Sequence, residues 1–353
     1  QTMKNRVING DMRIDQRFGG AANNNINGPQ YVIDRWVNWG TGAAKLRYQQ
    51  NNTNGPGSTA TQSATGFINY FGANVVSSVA VGSTDYYQLD HIIEGYNIAD
   101  LNWGTANASP ITLSFWSYSS IAGTLGGVVQ NGPQTRSYVF SYNITTANTW
   151  QYQTITIPGD TTGSWWSNNN IGMYVLYNLG TGSTYLGSPN SWGSTTYFAP
   201  TGSVQVVNNA NGSFYLTGVQ LEKGTQATSF DWRHYGYELS LCQRYYCKTY
   251  NQGTNPGATT TSGFIAAIPS STSFYEWIGM KWPVVMRTTP LITIYSPTTG
   301  AAGYIRNYST TADVACVVPT ASDNNFMGLN FNPTVGNLYF AHVVASAELN
   351  TQN

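Results

Sequence analysis

Aromatic and amide side chains in two stretches of the sequence are of the types that bind sugars. Flat ring faces pack against the C–H groups of a pyranose, and neighbouring amides and hydroxyls bond its hydroxyl groups. We interpret these residues as candidate glycan-binding positions, with packing in a core or a subunit interface as the alternative. They are Trp165 and Trp166, which precede three asparagines, and Tyr185, Trp192 and Tyr197 in the Gly/Ser-rich stretch 180–200.

A third candidate set lies later in the chain. Tyr275 and Trp277 are two residues apart, so a β-strand would place both rings on one face, with Trp282 on the other. These two residues complete the candidate glycan-binding set, and core packing is again the alternative.

Two carboxylates have a spacing that glycoside chemistry could use. Asp90 and Glu94 are four residues apart, and an even spacing puts both on one face of a strand. Most glycoside hydrolases use a pair of carboxylates that flank the glycosidic bond. The alternative, which we favour, is that both point outward or bond backbone and arginine partners at a sheet edge, which predicts a protein without enzymatic activity.

Metal and thiol chemistry have weaker support in the sequence. Asp34, Glu94, Asp160 and Glu222 are candidate calcium ligands, but no dense run of acidic residues accompanies them. We predict no cofactor and keep a structural Ca²⁺ as the alternative. The three cysteines predict buried free thiols, with a bridge from Cys316 to Cys242 or Cys247 as the alternative.

Short runs of β-branched and aromatic residues, bounded by Gly, Asn, Pro or Ser, must position these side chains. Several runs alternate with a period of two, as a half-buried strand does, and they predict an antiparallel sandwich or barrel. The clearest runs before residue 230 are 31–39, 45–50, 86–93, 111–120, 137–144, 150–157, 171–179 and 213–224.

One stretch departs from this pattern and predicts a joint between two domains. Tyr237, Leu241 and Tyr245 recur every four residues, which predicts a short amphipathic helix at about 236–247. Shorter strand-like runs follow it. We therefore predict domains at 1–235 and 236–353. The last run, 338–349, is apolar on both faces, which places it centrally in a sandwich or against another subunit.

The composition is polar but almost uncharged. Charged residues make up 8% of the chain, aromatic residues 14%, and the formal net charge is zero. Without clustered Lys and Arg, nucleic acid is excluded as a partner. No apolar run is long enough for a membrane span, so no membrane insertion is predicted. Residues 1–17 do not resemble a secretory leader, and the start at Gln1 indicates a missing initiator or processed leader.

Six long stretches together carry a family resemblance. They are NRVINGDMRIDQR (5–17), YVIDRW (31–36), HIIEGYNIADLNWGTANASPITLSFW (91–116), SYVFSYNITTANTWQYQTITIPGDTTGSW (137–165), TGVQLEKGTQATSFDWRHYGYELSLCQRYY (217–246) and KWPVVMRTTPLITIYSPTTGAAGYIRN (281–307). These stretches resemble structural proteins of tailed bacteriophages, particularly tail-fibre-like proteins. The resemblance implies an all-β chain: a jelly-roll β-sandwich similar to carbohydrate-binding modules, a short helix and a smaller C-terminal β-sandwich.

The resemblance also implies a setting and partners. It predicts a virion protein in a tail fibre or other external appendage, made in the host cytoplasm, homotrimeric, and attached to other phage structural proteins. We interpret its function as recognition of host-surface polysaccharide without catalysis. A purely structural virion component, such as a capsid decoration, head fibre or fibre shaft, is the first alternative, and a glycan-degrading spike is the second.

Overall fold

The computed structural model describes residues 3–24, 28–51, 53–270, 275–316, 326–330 and 333–349, with the backbone alone for 275–280 and 326–330. The chain divides into two compact units. The first comprises Gly20–Arg233 with the N-terminal segment through Arg13, and the second comprises Ile14–Gly19 with the chain from His234. The domain boundary at 235/236 remains a prediction.

The first unit consists of β-strands with one α-helix among its described residues. The helix, α1 (Ser58–Thr65), lies in a Ser/Thr-rich stretch whose sequence does not predict it. The strands are β1 (Gln30–Ile33), β2 (Trp36–Gly40), β3 (Leu46–Gln50), β4 (Phe71–Val75), β5 (Tyr86–Glu94), β6 (Ile111–Ser119), β7 (Gly123–Asn131), β8 (Ser137–Ile144), β9 (Gln151–Ile157), β10 (Ile171–Thr181), β11 (Leu186–Gly187), β12 (Ser191–Gly193), β13 (Ala199–Pro200) and β14 (Ser213–Lys223).

Twelve of these strands build two antiparallel sheets packed face to face, and β11 and β13 form a separate parallel pair. The front sheet has the order β1-β2-β5-β10-β7-β8-β12, and the back sheet has the order β3-β4-β14-β6-β9. Aromatic rings from both sheets meet between them: Phe115 of the back sheet lies 5.1 Å, centroid to centroid, from Tyr177 of the front sheet. The all-β sandwich predicted for this part of the chain is confirmed.

The inner face of β6 shows how the sequence specifies this packing. Ile111, Leu113 and Phe115 are fully buried between the sheets, as their alternation with polar residues predicts. Thr112 faces the other way, yet it is also buried, and its hydroxyl donates to the Gly224 carbonyl at 2.9 Å. Chain that follows β14 therefore covers part of the outer face of the back sheet.

Three of the stretches that carry the family resemblance meet at one polar cluster. The guanidinium of Arg6 donates to both carboxylate oxygens of Asp100, at 2.8 and 2.9 Å. The ammonium of Lys223 donates to the Asp100 carbonyl at 2.7 Å. The backbone N–H of Arg6 also donates to the Leu221 carbonyl at 3.0 Å, so the N-terminal segment is fixed alongside β14.

The second unit is also β-rich. Its helix is α2 (Tyr235–Gln243). Its strands are β15 (Tyr246–Lys248), β16 (Ile265–Ala267), β17 (Tyr275–Lys281), β18 (Leu291–Tyr295), β19 (Tyr304–Asn307), β20 (Ala312–Ala315), β21 (Phe326–Asn330) and β22 (Tyr339–Ser346). A short helix followed by a β-domain is the architecture that the sequence predicts.

Strand β22 is the centre of this unit. It pairs with β15 and β16 along one edge and with β18 and β19 along the other. Its flanking strands therefore come from its own chain, and its apolar character on both faces is explained by a central position. This feature no longer argues for a partner subunit.

Three details of the sequence interpretation are wrong. The helix ends at Gln243 rather than near 247, because Tyr246–Lys248 pair with β22. Its buried residues are Glu238 and Cys242, whereas Tyr237, expected on the apolar face, is 58% exposed. The run 31–39 also breaks into a hairpin, since Arg35 between β1 and β2 takes a left-handed φ of 68°.

The three thiols are buried, and both helices are short. Cys242, Cys247 and Cys316 are buried thiols that form no disulfide, as predicted. Burial raises the pKa of the Cys247 thiol to about 12, so this thiol is chemically inert at neutral pH. Neither helix of the described chain has the length and apolar character needed to cross a bilayer.

Candidate functional site

A long connection between β10 and β14 shapes the outer face of the front sheet. Residues 182–206 cross this face and are held to it by side chains of β7 and β8. Gln130 donates to the Tyr197 carbonyl at 2.5 Å, and Ser137 donates to the Thr195 carbonyl at 2.7 Å. Gly126 allows the close approach, because a Cβ there would lie 2.6 Å from the Pro200 ring.

The crossing connection leaves one part of the sheet uncovered. A cleft of about 250 Å³ remains between the connection, strands β2, β5 and β10, and the β7–β8 turn. We call it the front-sheet cleft. Its lining residues combine aromatic rings with amide, hydroxyl and carboxyl groups: Trp39, Tyr86, Gln88, Asp90, Gln134, Tyr174, Tyr185, Thr196 and Phe198.

Aromatic rings form a continuous wall of this cleft. Trp39 lies 6.4 Å from Tyr86, and Tyr86 lies 5.9 Å from Tyr185 and 4.9 Å from Phe198, measured between ring centroids. Tyr185 and Phe198 pack against each other at 4.7 Å. The wall joins the sheet to the crossing connection, so both must be folded for the cleft to exist.

The floor of the cleft is polar and incompletely bonded. The Gln88 amide donates to Asp90 Oδ2 at 2.9 Å. This bond uses one oxygen of Asp90 and the NH₂ group of Gln88. Within the described part of the chain, Trp39 Nε1, Gln88 Oε1 and Asp90 Oδ1 are shielded from solvent and have no hydrogen-bond partner. An unmet buried polar atom costs about 1–3 kcal/mol, so three together are a costly arrangement for a site without a ligand.

Burial also changes the acid–base behaviour of the cleft. It raises the pKa of the Asp90 carboxyl well above its usual range, and the hydrogen bond from Gln88 offsets only part of this shift. Burial and the neighbouring Asp90 carboxyl raise the pKa of Tyr174. Tyr86 also has a raised pKa, through burial and then through Tyr185 and Asp90. The tyrosines therefore remain neutral hydroxyl groups that can donate and accept hydrogen bonds.

The structure brings two sequence candidates, Trp165 and Trp192, into a different cluster. Their centroids are 5.9 Å apart, and each meets the buried Trp103 edge to face, at 4.5 and 5.5 Å. Trp165 Nε1 donates to Asp160 at 3.1 Å, and Trp192 Nε1 donates to the Pro158 carbonyl at 3.1 Å. The cluster offers a ligand half-buried rings, but both indole N–H groups are already bonded.

The remaining candidates of the first unit lie apart from that cluster. The ring of Trp166 is 39% exposed and covers Gly132, where a Cβ would meet it at 2.8 Å. The half-buried ring of Tyr197 packs on Gly187 and Gly193. Of the predicted aromatic residues, Tyr185 is the one that lines the front-sheet cleft.

The candidates of the second unit can be placed only on the backbone. Tyr275 and Trp277 lie on β17, but their side chains fall outside the described residues, and their glycan-binding role stays a prediction. Trp282, which follows the strand, is buried in the core of the unit.

The four calcium candidates do not form a site among the described residues, which contain no cluster of three or more His, Cys, Asp or Glu suited to a metal ion. Asp160 instead accepts two hydrogen bonds of 2.8 Å from Arg136. Glu222 accepts from the Thr228 N–H and hydroxyl at 2.7 and 2.6 Å. Asp34 and Glu94 are buried.

Most of the cleft is not predicted by the sequence. The spacing of Asp90 and Glu94 predicts a carboxylate pair, but Glu94 does not line the cleft. The signal that was available is the parity of β5, where Tyr86, Gln88 and Asp90 share one face. Trp39 and Tyr174 lie on the same face because their strands, β2 and β10, pair with β5. Local sequence patterns do not reveal this pairing.

Comparison with known proteins gives a fold likeness at low identity. No family model matches the chain, and no curated protein matches it. An enzymatically active domain of tailspike protein 4 from bacteriophage CBA120 covers 62% of this chain at 13% identity, with a TM-score of 0.32. The match spans 21% of that chain.

Two carbohydrate-binding proteins give similar values. TmCBM61, solved with β-1,4-galactotriose, covers 63% of this chain and 99% of its own at 9% identity and a TM-score of 0.31. A Clostridium thermocellum xylanase 10B fragment, solved with xylohexaose, covers 65% of this chain at 10% identity and a TM-score of 0.32, and the match spans 30% of its own length. At these TM-scores the likenesses assign neither ligand nor activity to this chain.

Proposed function

We propose that this protein is a non-enzymatic recognition component of a phage virion, a fibre or spike that binds host-surface polysaccharide through the front-sheet cleft. The observation that carries the binding proposal is the set of unpartnered polar atoms on the cleft floor: Trp39 Nε1, Gln88 Oε1 and Asp90 Oδ1. The virion setting rests on the resemblance of the sequence to tail-fibre-like proteins.

The chemistry of the floor and wall matches a sugar. The floor lacks one acceptor, for the indole N–H of Trp39, and two donors, for Gln88 and Asp90. A sugar hydroxyl acts as donor and acceptor at once, so two adjacent hydroxyls provide both types of partner. The rings of Trp39, Tyr86 and Tyr185 provide the flat apolar surface that the C–H face of a pyranose requires.

Glycan hydrolysis fits the cleft less well. Among the described residues its lining contains a single carboxylate, Asp90. Glu94, four residues further along β5, is about 13 Å away at the rise of an extended strand. Glycosidase pairs stand about 5–9.5 Å apart. The geometry therefore favours binding without cleavage.

A homotrimer that joins other virion proteins remains part of the proposal. Its support is the family resemblance and a formal net charge of zero, which promotes association. We expect light scattering to give three times the chain mass at micromolar concentration. Antibody labelling of intact particles should mark an external appendage, and a monomer confined to the capsid surface would favour the purely structural alternative.

The binding proposal is tested with a printed array of neutral oligosaccharides and with purified host-surface polysaccharide. Trp39→Ala should weaken binding by about tenfold or more, because it removes a ring face and an indole donor together. Tyr96→Ala is the matched control, since Tyr96 is an exposed aromatic residue outside the cleft lining.

Each of the following outcomes would distinguish one alternative from the proposal. Trp166→Ala tests one of the glycan-binding positions predicted from the sequence, and loss of binding in that variant, with Trp39→Ala unaffected, would move the site to residues 165–170. If the native chain binds neither the array nor the polysaccharide, the recognition function is wrong. Release of reducing sugar from the polysaccharide would establish the enzymatic alternative.

A further inference from the structure

A second and larger cavity lies on the outer face of the back sheet. It has a volume of about 440 Å³ and is bordered by β3, β4, β6 and β14 and by the turns beside them. We call it the back-sheet pocket. It shares no lining residue with the front-sheet cleft, and the function proposed above does not involve it.

Stacked tyrosines give this pocket a rigid aromatic side. Tyr118 and Tyr215 are stacked with centroids 5.0 Å apart and planes inclined by 27°. Trp150 supports Tyr118 edge to face at 5.6 Å, and Tyr70 lies 5.0 Å from Tyr215. Tyr215 is 1% exposed and Tyr118 is half-buried. The Tyr118 ring is therefore held in one position at the pocket wall.

Amide side chains present bonding groups beside the rings. Asn74 donates to the Tyr215 hydroxyl at 2.9 Å, whereas its Oδ1 atom is shielded and without a partner within the described chain. The Tyr118 hydroxyl donates to Asn148 Oδ1 at 3.3 Å, which leaves the Asn148 NH₂ group to donate. A ring face with an acceptor and donors beside it is again suited to a sugar.

Charge distinguishes this pocket from the front-sheet cleft. Arg47 on β3 lines it, and none of its lining residues, all in the described chain, is acidic. The cleft shows the reverse, with Asp90 in its lining and neither Lys nor Arg among its lining residues. A guanidinium binds carboxylate and phosphate groups through paired N–H donors. A pocket with this lining favours an anion.

We propose that the back-sheet pocket binds an anionic saccharide, with Arg47 facing its carboxylate or phosphate group and Tyr118 packed against its sugar ring. The two sources of the anion, a uronic acid and a sugar phosphate, share the chemistry that Arg47 recognises. The protein then carries two saccharide sites of different charge preference on opposite faces of one sandwich.

The test uses the full chain and immobilised oligosaccharides. The probes are oligomers of galacturonate, glucuronate and N-acetylneuraminate with their neutral methyl esters, and a mannose 6-phosphate oligosaccharide with its dephosphorylated form. We expect at least one anionic probe to bind about tenfold more tightly than its neutral counterpart. Arg47→Gln should remove that preference, and Arg47→Lys should restore part of it.

A matched control lies directly before the same strand, β3. Lys45→Gln removes the same charge two residues earlier, in the lining of a different small pocket, and should leave anionic binding unchanged. Arg47→Gln should also leave the Trp39-dependent binding of neutral saccharides unchanged, so failure here is distinct from failure of the front-sheet cleft.

Three results would overturn the proposal. The first is that every anionic probe and its neutral counterpart bind equally, or that none binds. The second is that Arg47→Gln, shown by its unfolding midpoint to be folded, keeps the full preference. The third is that Lys45→Gln loses as much affinity as Arg47→Gln. Preference confined to the uronates or to the sugar phosphate supports the proposal and identifies the source of the anion.

Discussion

The two outer faces of the first sandwich share one core but differ in the polar groups they present. The front-sheet cleft has a buried carboxylate, Asp90, below an aromatic wall, whereas the back-sheet pocket has Arg47 and asparagines beside stacked tyrosines. Strand alternation makes this possible, because each strand sends every second side chain to the shared core and the others to its own face. Opposite faces can therefore acquire different ligand preferences on one framework.

Loss of the shared core should abolish the difference between the faces. Phe115 is fully buried and meets Tyr177 and Tyr142 of the front sheet, each at 5.1 Å. Phe115→Ala should lower the free energy of unfolding by about 3–5 kcal/mol, measured by urea denaturation with tryptophan fluorescence. Neutral and anionic binding should then be lost at the same urea concentration, and survival of one without the other would mean that the faces are not built on a common core.

A change of pH should affect the carboxylates of the sandwich in opposite directions. Because folding raises the pKa of Asp90, this group stabilises the fold below the ordinary carboxyl pKa, and that stabilisation is lost as pH rises through the raised value. Asp90→Asn should therefore be more stable than the native chain at about pH 8, by about 1–3 kcal/mol, with the gain shrinking in acid.

The control for this prediction is Asp100. Burial alone would raise the pKa of the Asp100 carboxyl. The hydrogen bonds from Arg6 and the charges of Arg6 and Lys223 outweigh that effect and lower the pKa. Asp100→Asn should thus destabilise the protein at neutral pH, with the loss shrinking as pH falls through the lowered value. Unfolding midpoints across a pH series check both variants, and slopes of the same sign would contradict the assignment.

A smaller effect should be confined to the back-sheet pocket. Tyr215→Phe removes the hydroxyl that accepts from Asn74, so we expect a loss of about 0.5–1.5 kcal/mol in stability. Anionic saccharide binding should weaken with it, while neutral binding at the cleft stays constant. Tyr152→Phe, which alters an exposed tyrosine of the same sheet, should change neither quantity in thermal unfolding and binding titrations.

The smallest expected difference between the two faces is in the salt dependence of saccharide binding. Raising the ionic strength from about 0.05 to about 0.5 M shortens the screening length several-fold, so anionic binding at Arg47 should weaken by about threefold. Neutral saccharide binding at the cleft should be insensitive to the same change. Titrations at both ionic strengths measure this, and equal salt dependence at the two sites would remove the charge distinction.

Much of the sandwich could be predicted because its strands follow local rules. The alternation in Ile111–Ser119 and the buried runs at 86–93 and 171–179 each indicate a strand without reference to the rest of the chain. The end of α2 could not be predicted, because pairing of the following strand with β22 determines it. The β1–β2 hairpin could not be predicted either, because a single left-handed residue determines it.

The sites depend on information that local patterns do not contain. Tyr86, Gln88 and Asp90 share a face by parity, but Trp39 reaches them through strand pairing across about fifty residues of chain. The back-sheet pocket likewise joins Arg47 to Asn148 through β3, β4, β14 and β6. The prediction from Gly/Ser-rich loops found Tyr185 because that loop borders the cleft, and it missed the strand residues that form the floor.

The position of β14 in the back sheet affects how the chain folds during synthesis. This strand is the last of the first unit to leave the ribosome, yet it lies between β4 and β6 and also pairs with the N-terminal segment through Leu221 and Arg6. Until residues 213–223 emerge, the facing edges of β4 and β6 lack their partner, and unpaired edges invite association between chains. We therefore expect the sandwich to close late and in one step, as contacts so distant in sequence slow folding, and nascent chains that stop before residue 213 to aggregate.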